Sequence, residues 1–154
     1  VNLLFKLLKL WIRIQFPTVR SLSTQDLDLW LQDPARIPPI LLDARTVPEF
    51  TVSHLKTAQR IDPRQPNWKH LPKNFAIVVY CSVGYRSARV AQQLQKHGFT
   101  DVWNLEGSIF QWANEARSLY QNNGRLVRSV HPYNARWGKL LKPELRAAID
   151  EQTT

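Results

Sequence analysis

A single cysteine, Cys81, stands in 154 residues. One thiol excludes an intrachain disulfide, so nothing marks an oxidising compartment and a cytoplasmic setting is expected. It also excludes a resolving cysteine within the chain, so any sulfur-based chemistry needs an external partner. Metal-binding spacing is missing as well. The four histidines, His54, His70, His97 and His131, are scattered, and no H-x-x-x-H or C-x-x-C pairing occurs. No metal and no cofactor is expected on that basis. His97, directly before Gly98, is expected to cap a helix. There is no internal repeat and no apolar run long enough to cross a membrane.

Acidic residues are absent from the first twenty positions, which hold Lys6, Lys9, Arg13 and Arg20. Residues 21–124 carry eleven basic and nine acidic side chains, and residues 125–154 carry six and three. The net charge of +9 therefore lies mostly on the flanks. Such a surface attracts anions, whether small substrates, lipid or nucleic acid. No nucleic-acid motif accompanies the charge, so nucleic acid is not indicated as a partner. Most of the six tryptophans are expected to pack in or on the core.

The start of the chain is amphipathic. Leu3, Leu4, Leu7, Leu8, Trp11, Ile14 and Phe16 form a broad apolar stripe beside a narrow face of Lys6, Lys9 and Arg13, and Pro17 ends the segment. A secretory signal does not fit, because the charges lie within the apolar stretch and no small-residue cleavage site follows. A helix over residues 3–16 is expected. Amphipathicity alone leaves its apolar partner open: peripheral contact with a membrane, the chain's own domain, or another protein.

The densest chemistry surrounds Cys81. Ala76-Ile77-Val78-Val79-Tyr80 is a short apolar run rich in β-branched residues and reads as a buried strand. Cys81 follows it, then a tight loop with Gly84, then the helical pattern Ser87, Ala88, Val90, Ala91, Leu94. A thiol so placed faces a helix N-terminus, which carries about half a positive charge and unpaired N–H groups. Both favour an anionic sulfur. Four residues separate Cys81 from Arg86. Backbone N–H groups in a loop of this kind converge into an anion nest, and Gly84 admits a left-handed turn. The candidate pocket comprises Ser82, Val83, Gly84, Tyr85, Arg86 and Ser87, able to hold a small charged adduct on sulfur such as a persulfide. A buried, inert cysteine is the competing reading.

Four ordered motifs resemble the rhodanese family. Leu41-Leu42-Asp43-Ala44-Arg45 is similar to its first conserved strand, and Pro48-Glu49-Phe50 with Ser53-His54-Leu55-Lys56-Thr57-Ala58 to its second signature. Cys81 to Ser87 resembles the active-site loop, and Asn104-Leu105-Glu106-Gly107-Ser108 through Trp112 the closing strand, loop and helix. The likeness spans roughly residues 22–118. It departs from the family at Ser53, where glycine is frequent, and at Lys56-Thr57-Ala58, where a small, glycine-containing stretch is usual. The resemblance implies a sulfurtransferase in which Cys81 is the persulfide-forming nucleophile and Arg86 the loop cation, with Asp43 and Arg45 in supporting positions. It implies an anionic sulfur donor such as thiosulfate, or a persulfide, and an external acceptor: a thiol, cyanide or a protein.

The remaining pattern alternates. Ser23 is a good N-cap for a helix from Thr24 to Leu31. Ile40–Asp43 reads as strand, Pro48–His54 as short helix, Ala58–Ile61 as short strand and 62–74 as a proline-rich loop. Ala76–Tyr80, Ser87–His97, Val102–Leu105 and Ile109–Tyr120 read as strand, helix, strand, helix. This predicts an α/β fold, a parallel sheet with helices on both faces and ligands beyond the carboxyl ends of the strands. Gln121-Asn122-Asn123-Gly124 reads as the end of the core. The organisation expected is a basic amphipathic helix at 1–17, a rhodanese-like domain at 18–124, and an aromatic, basic extension at 125–154 with a short helix near Pro143. Two other function classes remain: a non-catalytic docking module, and a phosphatase or arsenate reductase. Phosphatases similar to rhodaneses have one more residue between cysteine and arginine, which widens the loop for a tetrahedral oxyanion.

Overall fold

A computed structural model describes residues 2–149. Five strands, β1 (Arg20–Leu22), β2 (Ile40–Asp43), β3 (Gln59–Arg60), β4 (Ile77–Tyr80) and β5 (Val102–Leu105), form one parallel sheet in the order β1-β5-β4-β2-β3. The central strand β4 is buried on both faces, as its unbroken apolar run requires. Its side chains alternate. Val78 and Tyr80 enter one core, and Ile77, Val79 and then Cys81 enter the other.

Helices cover both faces, as expected for the α/β reading. α1 (Leu3–Gln15), α2 (Thr24–Gln32) and α3 (Val47–Val52) precede β3; α4 (Tyr85–Lys96) and α5 (Ser108–Asn114) follow β4 and β5. α4 packs Val90, Ala91 and Leu94 against Val79 and Val102. α2 and α5 place Leu27, Trp30, Ile109 and Phe110 on the opposite face. The Ser23 cap is present, its hydroxyl accepting from the Asp26 N–H (3.0 Å). His97 closes α4, its Nδ1 bonded to the Gln93 carbonyl (2.8 Å).

One strand is new and two local readings change. β1 carries no apolar alternation and forms by pairing Arg20–Leu22 with Trp103–Leu105. The helix expected over 109–120 stops at Asn114, because the chain turns through Ala116 at φ +58°. Leu119–Tyr120 then becomes β6, antiparallel to β7 (Leu126–Val127), with 121–124 as the turn between them. The core continues past that turn. Val130, Leu140, Leu141 and Leu145 join the cluster of Leu27, Phe110 and Trp112. Two short 3-10 helices, Trp137–Leu140 and Pro143–Leu145, shape this extension. Its residues 150–154 lie outside the described ones.

α1 docks on its own domain by one side. Phe5, Ile12 and Phe16 are buried, and Ile12 and Phe16 pack on Ala88 of α4. Lys9 Nζ donates to Gln111 Oε1 (2.9 Å), and Arg13 pairs with Glu106. The opposite side of α1 remains exposed and apolar. No described helix is long and apolar enough to cross a membrane.

Candidate active site

Cys81 is the first residue beyond β4, at the carboxyl edge of the sheet, and its side chain is only 1 % exposed. Gly84 turns the chain at φ +116°, and α4 begins at the next residue, two earlier than the apolar pattern indicates. A Cβ on Gly84 would meet nothing closer than 3.6 Å, so the backbone angle, not crowding, calls for glycine. The turn aims the Gly84 N–H at Cys81 Sγ, 3.2 Å away. The first-turn N–H groups of α4 have no intrahelical acceptor and point to the same side.

A second set of bonds fixes the loop from beneath. Ser108 Oγ accepts from the Cys81 N–H (3.2 Å) and donates to the Leu105 carbonyl (2.9 Å). The N–H groups of Ile109 and Phe110, at the start of α5, donate to the carbonyls of Cys81 and Ser82 (both 3.1 Å). Ser87 Oγ lies 3.4 Å from Sγ and 2.6 Å from Asn104 Oδ1, and Asn104 Nδ2 donates to the Gly84 carbonyl (3.1 Å). Ser87 and Asn104 are buried, and the loop is held on every side but one. That side is a cavity of about 310 Å³ with Cys81, Ser82 and Arg86 on its floor.

These elements match a known set of proteins. Residues 23–115 match the rhodanese-like domain. The chain belongs to the rhodanese-like domain family. It is 38 % identical over 81 residues to the tRNA uridine(34) hydroxylase of Aster yellows witches'-broom phytoplasma, covering 47 % of this chain and 26 % of that protein. The Salmonella agona protein of the same name is 30 % identical over 105 residues, covering 62 % of this chain and 29 % of its own. This chain thus spans less than a third of the length of those relatives. Among solved structures, a rhodanese-like domain protein from Staphylococcus aureus aligns with a TM-score of 0.56 at 28 % identity, over 61 % of this chain and 91 % of that one. A thiosulfate sulfurtransferase from Pseudomonas aeruginosa shares the fold at a TM-score of 0.60 and 19 % identity, over 91 % of this chain and 26 % of that one.

The rhodanese-like loop residues named from the sequence come together around Cys81, each with a distinct placement. Val83 and Tyr85 line the cavity, and Ser87 sits behind the sulfur. Ser82 Oγ accepts from Arg86 Nη2 (2.9 Å) and donates to Glu49 Oε1 (3.2 Å). Arg86 is bound to Glu49 by two hydrogen bonds, Nη1 to Oε2 (3.0 Å) and Nη2 to Oε1 (2.8 Å). Asp43 and Arg45 form a pair with no exposed surface, next to the loop and outside the cavity wall. They brace the sheet edge: Asp43 lies opposite Tyr80, the residue before Cys81, and the Ala44 N–H donates to the Tyr80 carbonyl (2.8 Å).

Glu49 is the functional neighbour that the sequence reading did not single out. It is buried in α3, 37 positions from Arg86. Thr46-x-x-Glu49 is a capping-box pattern that marks where its carboxylate sits, and the Thr46 N–H and hydroxyl both donate to it (2.8 and 2.7 Å). The partner across the fold leaves no such mark. Burial alone would push this carboxyl up, but the bonds and charge of Arg86, with those of Thr46, bring it down to about 2. Burial likewise works against the Arg86 cation, and Glu49 and Cys81 more than offset it, so its value is raised.

This pair makes an acid-side prediction. A carboxyl held below its unfolded value of 4.5 stabilises the fold fully above that value and loses the contribution as pH falls toward about 2. Urea midpoints of the wild type and Glu49→Gln should therefore differ by a constant amount above about pH 5.5, and the difference should shrink steadily as pH drops from there toward about 2. A difference that ignores pH over this range would refute the pairing.

Proposed function

We propose that this chain is a sulfurtransferase that carries sulfane sulfur as a persulfide on Cys81. The observation that carries the reading is the sulfur itself: one thiol at the sheet edge, facing a helix start, with the Gly84 N–H on it at 3.2 Å and a cavity above. The thiolate attacks the outer sulfur of a donor such as thiosulfate or a persulfide. A bond forms from Sγ to that sulfur, and the donor's S–S bond breaks, sulfite or a thiolate leaving with the electron pair. An external thiol, cyanide or protein thiolate then takes the outer sulfur and restores the Cys81 thiolate, since the chain holds no second cysteine. The loop amides and the N-terminus of α4 stabilise the anionic adduct. A free thiol with no disulfide partner suits a reducing, cytoplasmic setting.

Membership of the rhodanese-like family supports the reading. The loop length also supports it over phosphoryl or arsenate chemistry, because four residues separate Cys81 from Arg86, one fewer than in the similar phosphatases. The docking-module alternative has no comparable support, because the thiol opens onto a cavity. Incubation with a sulfane donor followed by intact mass measurement tests the proposal. One added sulfur, removed by a reductant and mapped to Cys81, is the expected result. An unchanged mass with every sulfane donor would overturn it.

A further inference from the structure

The cavity over Cys81 has an unusual wall for a site expected to take small anions. Leu8 and Trp11 come from α1, Tyr85 from the start of α4, and Tyr133 and Trp137 from the extension. All but Tyr85 come from residues outside 23–115, the part that matches the family. Trp11 stacks on Tyr85 with ring centroids 5.5 Å apart and planes 16° apart. The one charged side chain on the lining is Arg86. Its guanidinium is already held by Glu49 and Ser82, and the Tyr133 ring covers it at 4.9 Å. A dianion such as thiosulfate would shed water here and find no unpaired cation in return. An apolar group would gain from covering these rings and aliphatic side chains, and about 310 Å³ is room for a body of aromatic-ring size.

We propose that the mouth selects sulfur compounds with an apolar, ring-sized body, namely aryl or alkyl thiosulfonates, persulfides or thiols, over small inorganic anions. The inference rests on the Cys81 persulfide reading and names its substrate class. For an arylthiosulfonate, Cys81 S⁻ attacks the terminal sulfur. The new S–S bond forms as the S–SO₂ bond breaks, and the arylsulfinate leaves with the electron pair. The test compares the rate of Cys81 persulfidation by benzenethiosulfonate and by thiosulfate, each divided by its rate with a free small thiol. The normalised preference for benzenethiosulfonate should be at least about tenfold, and should fall at least threefold in both Trp137→Ala and Trp11→Ala. Trp11→Ala keeps the test open if Trp137→Ala fails to fold, since Trp11 is 46 % exposed. Persulfide formed without that preference, or a preference indifferent to both substitutions, overturns the apolar mouth and leaves sulfur transfer standing. No persulfide from either donor overturns the reading beneath it.

A separate observation concerns the outer side of α1. Leu3, Leu4, Leu7, Leu10 and Ile14 are all exposed there, opposite the side docked on the core, and Trp11 lies at the border where it stacks on Tyr85. Lys6 flanks this face on one side, together with Arg13, which is paired with Glu106, and no acidic residue occurs in the first twenty positions. We infer that the face rests on an anionic lipid surface, its apolar residues entering the headgroup boundary and its basic side chains attracted to the lipid charge. Full-length protein should co-sediment with vesicles containing phosphatidylglycerol, far less with pure phosphatidylcholine, and less at high salt. Leu7→Gln with Leu10→Gln should cut binding at least about tenfold while leaving the melting temperature within a few degrees. Absence of binding to anionic vesicles at low salt overturns the inference, and a concentration-dependent dimer in that case assigns the face to a second copy of the chain.

Discussion

Cys81→Ser is expected to lower sulfur transfer by at least about three orders of magnitude, to the level of the protein-free reaction. The serine hydroxyl would sit where the thiol does and keep the Gly84 and Ser87 neighbours. It would not be ionised near neutrality, and oxygen does not form a stable carrier linkage to a sulfane sulfur. No other cysteine can substitute. The fold should survive, since the change swaps one small buried side chain for another at a cost of about 1–2 kcal/mol. Persulfide content by intact mass and turnover with a thiol acceptor both report the effect. Residual donor consumption in a folded serine variant would place the chemistry elsewhere.

The largest effect on stability is expected at Asp43. Its carboxylate takes Arg45 Nε (2.9 Å), Arg45 Nη2 (2.7 Å) and the Arg45 N–H (3.1 Å), and Arg45 Nη2 also reaches the Ser53 carbonyl (2.6 Å). Both side chains are wholly buried. Asp43→Ala would leave a guanidinium in the interior without its counterion, at a cost of about 3–5 kcal/mol. At this chain length that corresponds to a fall of roughly 10–15 °C in melting temperature. Replacing both partners with apolar residues of similar volume should recover most of the loss, because the penalty comes from the orphaned charge. Calorimetry on the single and double variants decides it. A single variant within about 1 kcal/mol of the wild type would show the pair to be dispensable.

The sheet centre and the loop were legible because each carried a local signal. The unbroken run at Ile77–Tyr80, short and rich in β-branched residues, read as a buried strand, and Gly84 marked the turn. The four motifs in order then led to the rhodanese family and its α/β fold. β1 was not legible, since three residues of mixed polarity become a strand only through their partner in β5. The early end of α5 was hidden because Ala116 takes a positive φ, a conformation alanine rarely adopts. The extension was visible as an aromatic, basic segment with a short helix, but its place over Cys81 depends on packing between segments far apart in sequence. The pairing of Glu49 with Arg86 was hidden for the same reason: Arg86 was visible as the loop cation, but the carboxylate that holds it lies 37 positions away.

Ser87 has one hydrogen and two claimants. Asn104 holds it at 2.6 Å, while Sγ stands at 3.4 Å. The hydroxyl can turn its hydrogen to the sulfur only by releasing Asn104. Gly84 touches both rivals, with its N–H on the sulfur and its carbonyl on the Asn104 amide. Sulfur and asparagine are thus the two ends of a balance whose pivot is a single glycine. The sulfur and the first peptide units of α4 therefore share one connected set of hydrogen bonds.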